Sequence, residues 1–139
     1  MDSTTLLQQL QGSSAGTMVE NLGIKFLEIN GQSITASMPV DERTVQPYGI
    51  LHGGASVALA ETLGSIAAQV TAGFDKLCYG VEINANHLRK AVKGETVYGL
   101  TKPLKIGSNI QVWNIEIRNE NQQLVCISRI TVAVRDKQS

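Results

Sequence analysis

Gly53 to Val70 reads GGASVALAETLGSIAAQV, eighteen residues without a proline in which Glu61 is the only charged one. At about 100° per residue, Leu59, Leu63, Ile66 and Val70 fall on one narrow stripe. Glu61 points the opposite way and shares its face with Gly54, Ala58, Ser65 and Ala68, all small. The stretch predicts one long helix that anchors on a core through one side and presents a lone carboxylate on the other. It has the length of a short membrane span, but Glu61, the hydroxyls of Ser56, Thr62 and Ser65, Gln69 and three glycines argue against one.

On either side of this helix the period shifts towards two. Ile24–Ile29 and Ile34–Met38 flank Asn30 and Gly31, a hairpin signal because both residues tolerate positive φ. Downstream, Leu77–Leu88 alternates Tyr79, Val81, Ile83 and Ala85 against Glu82, Asn84 and Asn86. Thr96–Leu104 alternates poorly. Ile110–Arg118 sets Trp113, Ile115 and Ile117 against polar neighbours, and Val125–Val134 does the same with Ile130, Val132 and Val134. The short connectors between these runs favour antiparallel neighbours. One helix cannot cover both faces of six strands, so the expected α+β solution is a six-stranded antiparallel sheet curled around the helix. Covering the sheet's other face is a reason to expect oligomers. Further upstream, residues 4–11 and Met18–Leu22 suggest short helical turns separated by GSSAG.

The chain has 139 residues, 42% of them apolar and 17% charged, which fits a single domain spanning 1–139 with a real core. Twelve basic and twelve acidic residues balance, so nothing global points to nucleic acid or an anionic membrane, and an anion site must be local. Cys78 and Cys126 lie far apart without ligand spacing and read as buried, reduced thiols, with no metal site implied. The N-terminus lacks the apolar run of a signal peptide, and the expected location is the cytoplasm.

Glu61 has close small neighbours and no cation within helical reach. Such a carboxylate, short of competing solvation, suits a nucleophile or general base. The alternative is an ordinary solvated face, but such faces usually carry several Lys, Glu or Gln side chains. At the helix start, Gly53 and Gly54 follow His52. Backbone N–H groups there are free and the helix dipole is positive, so Gly53 N–H suits an oxyanion; a glycine-rich entry needed only for packing is the competing account. Gly53 and Glu61 are eight residues apart, or about 12 Å along the axis. Groups acting on one carbonyl must lie within about 3–4 Å of it. If both act, two helices meet antiparallel across a two-fold axis, each lending its N-terminus to the other's glutamate. Basic residues gather at His87, Arg89 and Lys90, then Lys93, Lys102 and Lys105. Near the turn Lys105–Ser108 they could hold phosphates, or they could be solvated strand ends.

The stretch Val45 to Ser65, VQPYGILHGGASVALAETLGS, resembles the hotdog-fold acyl-CoA thioesterases. It is most similar to the branch containing 1,4-dihydroxy-2-naphthoyl-CoA thioesterase and the proofreading thioesterase of enterobactin synthesis. The runs MPVD from Met38, EINANH from Glu82 and QVW from Gln111 extend the resemblance over most of the chain after residue 20. It implies a hotdog fold, dimers assembling into a homotetramer, and hydrolysis of an aromatic acyl-CoA such as a 1,4-dihydroxy-2-naphthoyl or benzoyl thioester. It implies Glu61 as nucleophile or general base and Gly53 N–H polarising the carbonyl from the facing protomer. His52 would stand beside Gly53, and Gln46 would orient the carbonyl or the water. Thr62 and Ser65 would place the acyl group or the water, while His87 and Arg89 meet the CoA phosphates and Gly107 and Ser108 lie near the pantetheine or nucleotide arm. No cofactor is implied, CoA being part of the substrate. The first twenty residues match none of its motifs. Two other readings compete: a hotdog enoyl-CoA hydratase or dehydratase using His52 with Glu61, and a non-catalytic acyl-CoA sensor.

Overall fold

The computed structural model describes residues 2–137. In chain order they form α1 (Ser3–Ser13), α2 (Met18–Asn21), β1 (Lys25–Asn30), β2 (Ser33–Pro39), α3 (Gly53–Ala72), β3 (Lys76–His87), β4 (Thr96–Ile106), β5 (Ile110–Arg118) and β6 (Leu124–Asp136). The strands make one antiparallel sheet in the order β1-β2-β4-β5-β6-β3. Helix α3 lies against β2, β3, β4, β5 and β6, so the α+β hotdog architecture expected from the sequence is the one observed.

The approach of α3 to the sheet depends on missing side chains. A Cβ at Gly64 would collide with Ile130, and one at Gly99 on β4 would sit 2.5 Å from Leu63 Cδ1. Leu59 and Leu63 are buried as the helical stripe predicts, but Ile66 and Val70 are only half-buried. Ala60, Gly64, Ala67 and Ala68 are buried in their place. The small side is the close-packed side, because it lets α3 settle onto β6 and β3. Ala68, expected on the open face with Glu61, is fully covered, and Cys78 of β3 packs there with its Sγ 3.9 Å from Ala68 O.

A bulge breaks the alternation of β3. Between Gly80 and Glu82 the β3–β6 register shifts, leaving Val81 as the extra residue. Cys78 before the bulge and Ile83 and Ala85 after it pack on the core; Tyr79 and Val81 are exposed instead of sharing a face with Ile83. The poor pattern of β4 has another cause: its burial alternates regularly up to Pro103, but the covered face carries Gly99 and Thr101 beside Val97 while Tyr98 and Leu100 lie on the other, and a register shift follows only between Pro103 and Lys105. On β5 the alternation holds. Trp113, Ile115 and Ile117 are fully buried, and the Trp113 indole N–H donates to Gln111 Oε1 at 2.8 Å.

The N-terminal helix closes one sheet edge. Leu7 and Leu10 pack on the core, and the Gln11 side chain donates to Ile24 O at 3.1 Å and accepts from Phe26 N–H at 2.9 Å. These bonds partner backbone groups beside and on β1 that would otherwise face solvent.

Candidate active site

Three structural devices place the candidate residues. The first is the loop after β2. Asp41 caps it through Arg43, whose guanidinium is 2.6 Å away and holds the carboxyl below its ordinary range. Val45 then bridges Leu51, so residues 46–50 form a tight excursion with Gly49 at φ 81°. Gln46 N–H donates to Ile50 O at 2.9 Å, and Gln46 Oε1 accepts from Tyr48 N–H. The carboxamide oxygen is thereby occupied by its own loop, which leaves the amide N–H groups as the free donors.

The second device is the α3 N-terminus. His52 is the N-cap, its Nδ1 accepting from Gly54 N–H at 2.8 Å. A nitrogen that accepts carries no proton, so the imidazole is in the Nε2–H tautomer. Ala55 and Ser56 N–H return to His52 O, whereas Gly53 N–H has no acceptor among the described residues. This is the unpaired donor expected at a helix start.

The third is β3, which runs along α3. Its last residue, His87, lies over Gly53; a Cβ there would be 2.8 Å from His87 Nε2. Further back along β3, a Cβ at Gly80 would strike Glu61 Oε2. Glycine at 53 admits the imidazole, and glycine at 80 admits the carboxylate. Glu61 makes no hydrogen bond or ion pair among the described residues.

These devices place the candidate residues in two separate spaces. A cavity of about 390 Å³ brings together Gln46, Gly53, His87 and Arg89, with Ser56 and Lys90. Glu61 is absent from it. Glu61 and Thr62 instead line a groove of about 330 Å³ with Gly54, Val57 and Ala58, closed on the other side by Met18, Val19 and Leu22. Thr62 Oγ1 donates to Ala58 O at 2.7 Å, so its proton is committed to the helix. His52 and Ser65 line neither space. Gly107 makes the β4–β5 turn, donating to Ile110 O at 2.9 Å, and Ser108 lines a third cavity of about 300 Å³ with Lys76, Asn109 and Arg135. Lys76 begins β3 and His87 ends it, so within one chain Gly107 and Ser108 are at the other end of the sheet from His87 and Arg89.

Two groups escaped the sequence reading. Ser56 is buried one turn after Gly53 and lines the donor cavity, which its i+3 spacing from Gly53 signals. Residues of α2 wall the carboxylate groove, and nothing local in MVEN announces that. Neither cysteine lines either space. Both are free thiols; Cys126 is buried as expected, Cys78 only half so, and burial pushes the Cys126 thiol up to about 11.

Comparison with known proteins shows the family. The family model described as the thioesterase superfamily matches residues 48–126. A 1,4-dihydroxy-2-naphthoyl-CoA hydrolase of Escherichia coli is 48% identical over 92% of this chain and 93% of its own length. The proofreading thioesterase EntH of Cronobacter turicensis is 45% identical, again over 92% and 93%. The crystal structure of a thioesterase from Haemophilus influenzae superposes with a TM-score of 0.90 at 45% identity, covering 94% of this chain and 90% of that one.

Proposed function

The chain belongs to the thioesterase superfamily, and we propose that it hydrolyses an aromatic acyl-CoA, of the 1,4-dihydroxy-2-naphthoyl or benzoyl type, to the free acid and CoA. The observation that carries this reading is the division of the site. The unpaired Gly53 N–H and the Gln46 amide stand in one cavity, and the unpartnered Glu61 stands in another. About 12 Å of helix separates them. A second copy in antiparallel array closes that distance, and β3 offers the surface for it. β3 is twelve residues long, lies at the sheet edge, and leaves Leu77 49%, Tyr79 45% and Val81 56% exposed. A long apolar edge of this kind is ordinarily paired or covered. The active unit is thus a homodimer of hotdog domains spanning 1–139, with two dimers forming a tetramer.

In this unit the thioester carbonyl points at Gly53 N–H and the Gln46 amide of one protomer while Glu61 of the other faces the carbonyl carbon. Glu61 either removes a proton from water as its oxygen attacks that carbon, or attacks itself to form an anhydride that water then cleaves. In both routes the oxyanion collapses, the C–S bond breaks and the CoA thiolate leaves. Gly53 N–H at the positive end of α3 stabilises the charge on the oxygen. His87 and Arg89, in the same cavity as Gly53, hold the phosphates of the departing CoA. In dimers paired along β3, the partner's Gly107 and Ser108 approach that same end. His52 orients the N-terminus as its cap, while Ser65 sits one turn beyond Glu61, towards the acyl group or the water. A CoA-thioester substrate supports a cytoplasmic location. Among the described residues no helix is long and apolar enough to cross a membrane.

Following thiol release from a panel of aromatic and straight-chain acyl-CoAs tests the proposal. Turnover highest on the aromatic members is expected. Stoichiometric binding without turnover, or water addition to an enoyl-CoA in its place, would overturn it.

A further inference from the structure

We propose that α2 is the wall of the acyl pocket and that Met18 selects for an aromatic ring there; this rests on the acyl-CoA reading above. A base or nucleophile acts only within about 3–4 Å of the carbonyl carbon. The acyl group therefore occupies space that adjoins Glu61. The groove bounded by Met18 and Val19 on α2, by Leu22 at its C-cap and by Val57 and Ala58 on α3 is that space, with Glu61 its only charged lining residue. Thr62, its one hydroxyl, already donates to Ala58 O. What remains is apolar wall. At about 330 Å³ it lies at the small end of ligand cavities and has room for a compact ring.

Met18 is 62% exposed, a large apolar side chain without cover at the groove edge. A thioether beside an aromatic ring is a favourable contact, and it gains less from a short aliphatic group. The wall is also preformed. Thr17 Oγ1 accepts from Val19 N–H at 3.2 Å, Glu20 Oε2 from Gly16 N–H at 2.7 Å, and Val19 O from Ile24 N–H at 3.1 Å. Val19 and Leu22 pack on the core. Gly23, at φ 75°, ends α2 where a Cβ would be 2.9 Å from Pro39. A fixed wall orders little on binding, so its contacts count towards selectivity.

The test compares Met18→Ala and Met18→Trp with the wild type, measuring kcat/KM for benzoyl-CoA, a naphthoyl-CoA and acetyl-CoA, whose methyl group is too short to span the groove. The readout is the ratio of aromatic to acetyl turnover, which a general loss of structure would not move. Met18→Trp fills the groove, and the naphthoyl-to-acetyl ratio is expected to fall about tenfold or more. Met18→Ala removes the thioether, and both aromatic ratios should fall by about two- to tenfold. Met18 is exposed, so Met18→Ala keeps the test alive should the tryptophan variant misfold. Ratios equal to wild type in the folded variants overturn this inference alone. A wild type inactive on the whole panel overturns the acyl-CoA reading and this inference with it.

Discussion

The two faces that α3 turns away from the core differ in what they supply. Around its N-terminus the cavity is a collection of donors, namely Gly53 N–H, the Gln46 amide, His87 and Arg89. Two turns on, the groove holds one acceptor, Glu61, among apolar walls. Neither holds both parts by itself, since the first has no carboxylate and the second offers no free donor for an oxyanion. The sheet edges repeat the contrast. The β1 edge is capped by Gln11 of the same chain, whereas β3 leaves Leu77, Tyr79 and Val81 exposed. The proposed dimer pairs at the second edge, the one left apolar. That is the edge beside Glu61 and Gly53.

Breaking the acceptor half should have the largest effect. Glu61→Gln keeps the shape and removes the charge, and kcat is expected to fall about 10²- to 10⁴-fold while the protein still binds CoA thioesters. Wild-type turnover in that variant would remove Glu61 from the chemistry. Breaking the edge comes next. Val81→Lys should shift the dimer to monomer in sedimentation and lower activity about tenfold or more; a monomer with full activity would end the shared-site model.

Disturbing the donor half should cost less and sharpens the contrast. In Gly53→Ala the new methyl meets His87 Nε2 at 2.8 Å, so the imidazole must move; a loss of about 10- to 100-fold in kcat is expected. Mixing this variant with Glu61→Gln should then restore about a quarter of wild-type activity, since half the dimers carry one intact site out of two. No recovery after subunit exchange would mean that each protomer works alone. Arg89→Ala should raise KM several-fold with kcat little changed, the mark of a contact to the CoA end.

The smallest effect lies outside both halves. Burial raises the Cys126 thiol from 9.0 to about 11. The folded state keeps a proton that the unfolded chain loses, so its stability is intact below about pH 9 and falls as the pH rises towards 11. Alkaline unfolding curves of Cys126→Ala should lack that part of the slope, and a thiol reagent at pH 8 should reach Cys126 only in denaturant.

Much of this was legible in the chain. Periodicity located α3 and six strands, because repeats of 3.6 and 2 are local properties; the hairpin turn falls at Gly31 and Gln32, with Asn30 still paired to Ser33 at the end of β1 and only Gly31 at positive φ. Glu61 stood out as a lone charge on a helix face and Gly53 as a glycine at a helix start, and the axial rise between them meant that either only one of the two acts or two copies share the site. The bulge at Val81 was not legible, since an extra residue in a strand declares itself only against the register of its neighbour β6. For the same reason Tyr79 and Val81 read as core and prove to be edge.

The helix from Gly53 to Ala72 carries both kinds of information. Its sequence alone determined that a carboxylate and a free N-terminus share one rod, at a separation no single substrate carbonyl spans. Only tertiary structure decided why Glu61's neighbours are small: β3 passes over that face, with Gly80 against the carboxylate and Cys78 against Ala68. It also decided that Met18, some forty residues upstream, walls the groove beside Glu61. Contacts between distant segments depend on packing volume and not on period, so no local pattern in the chain could announce them.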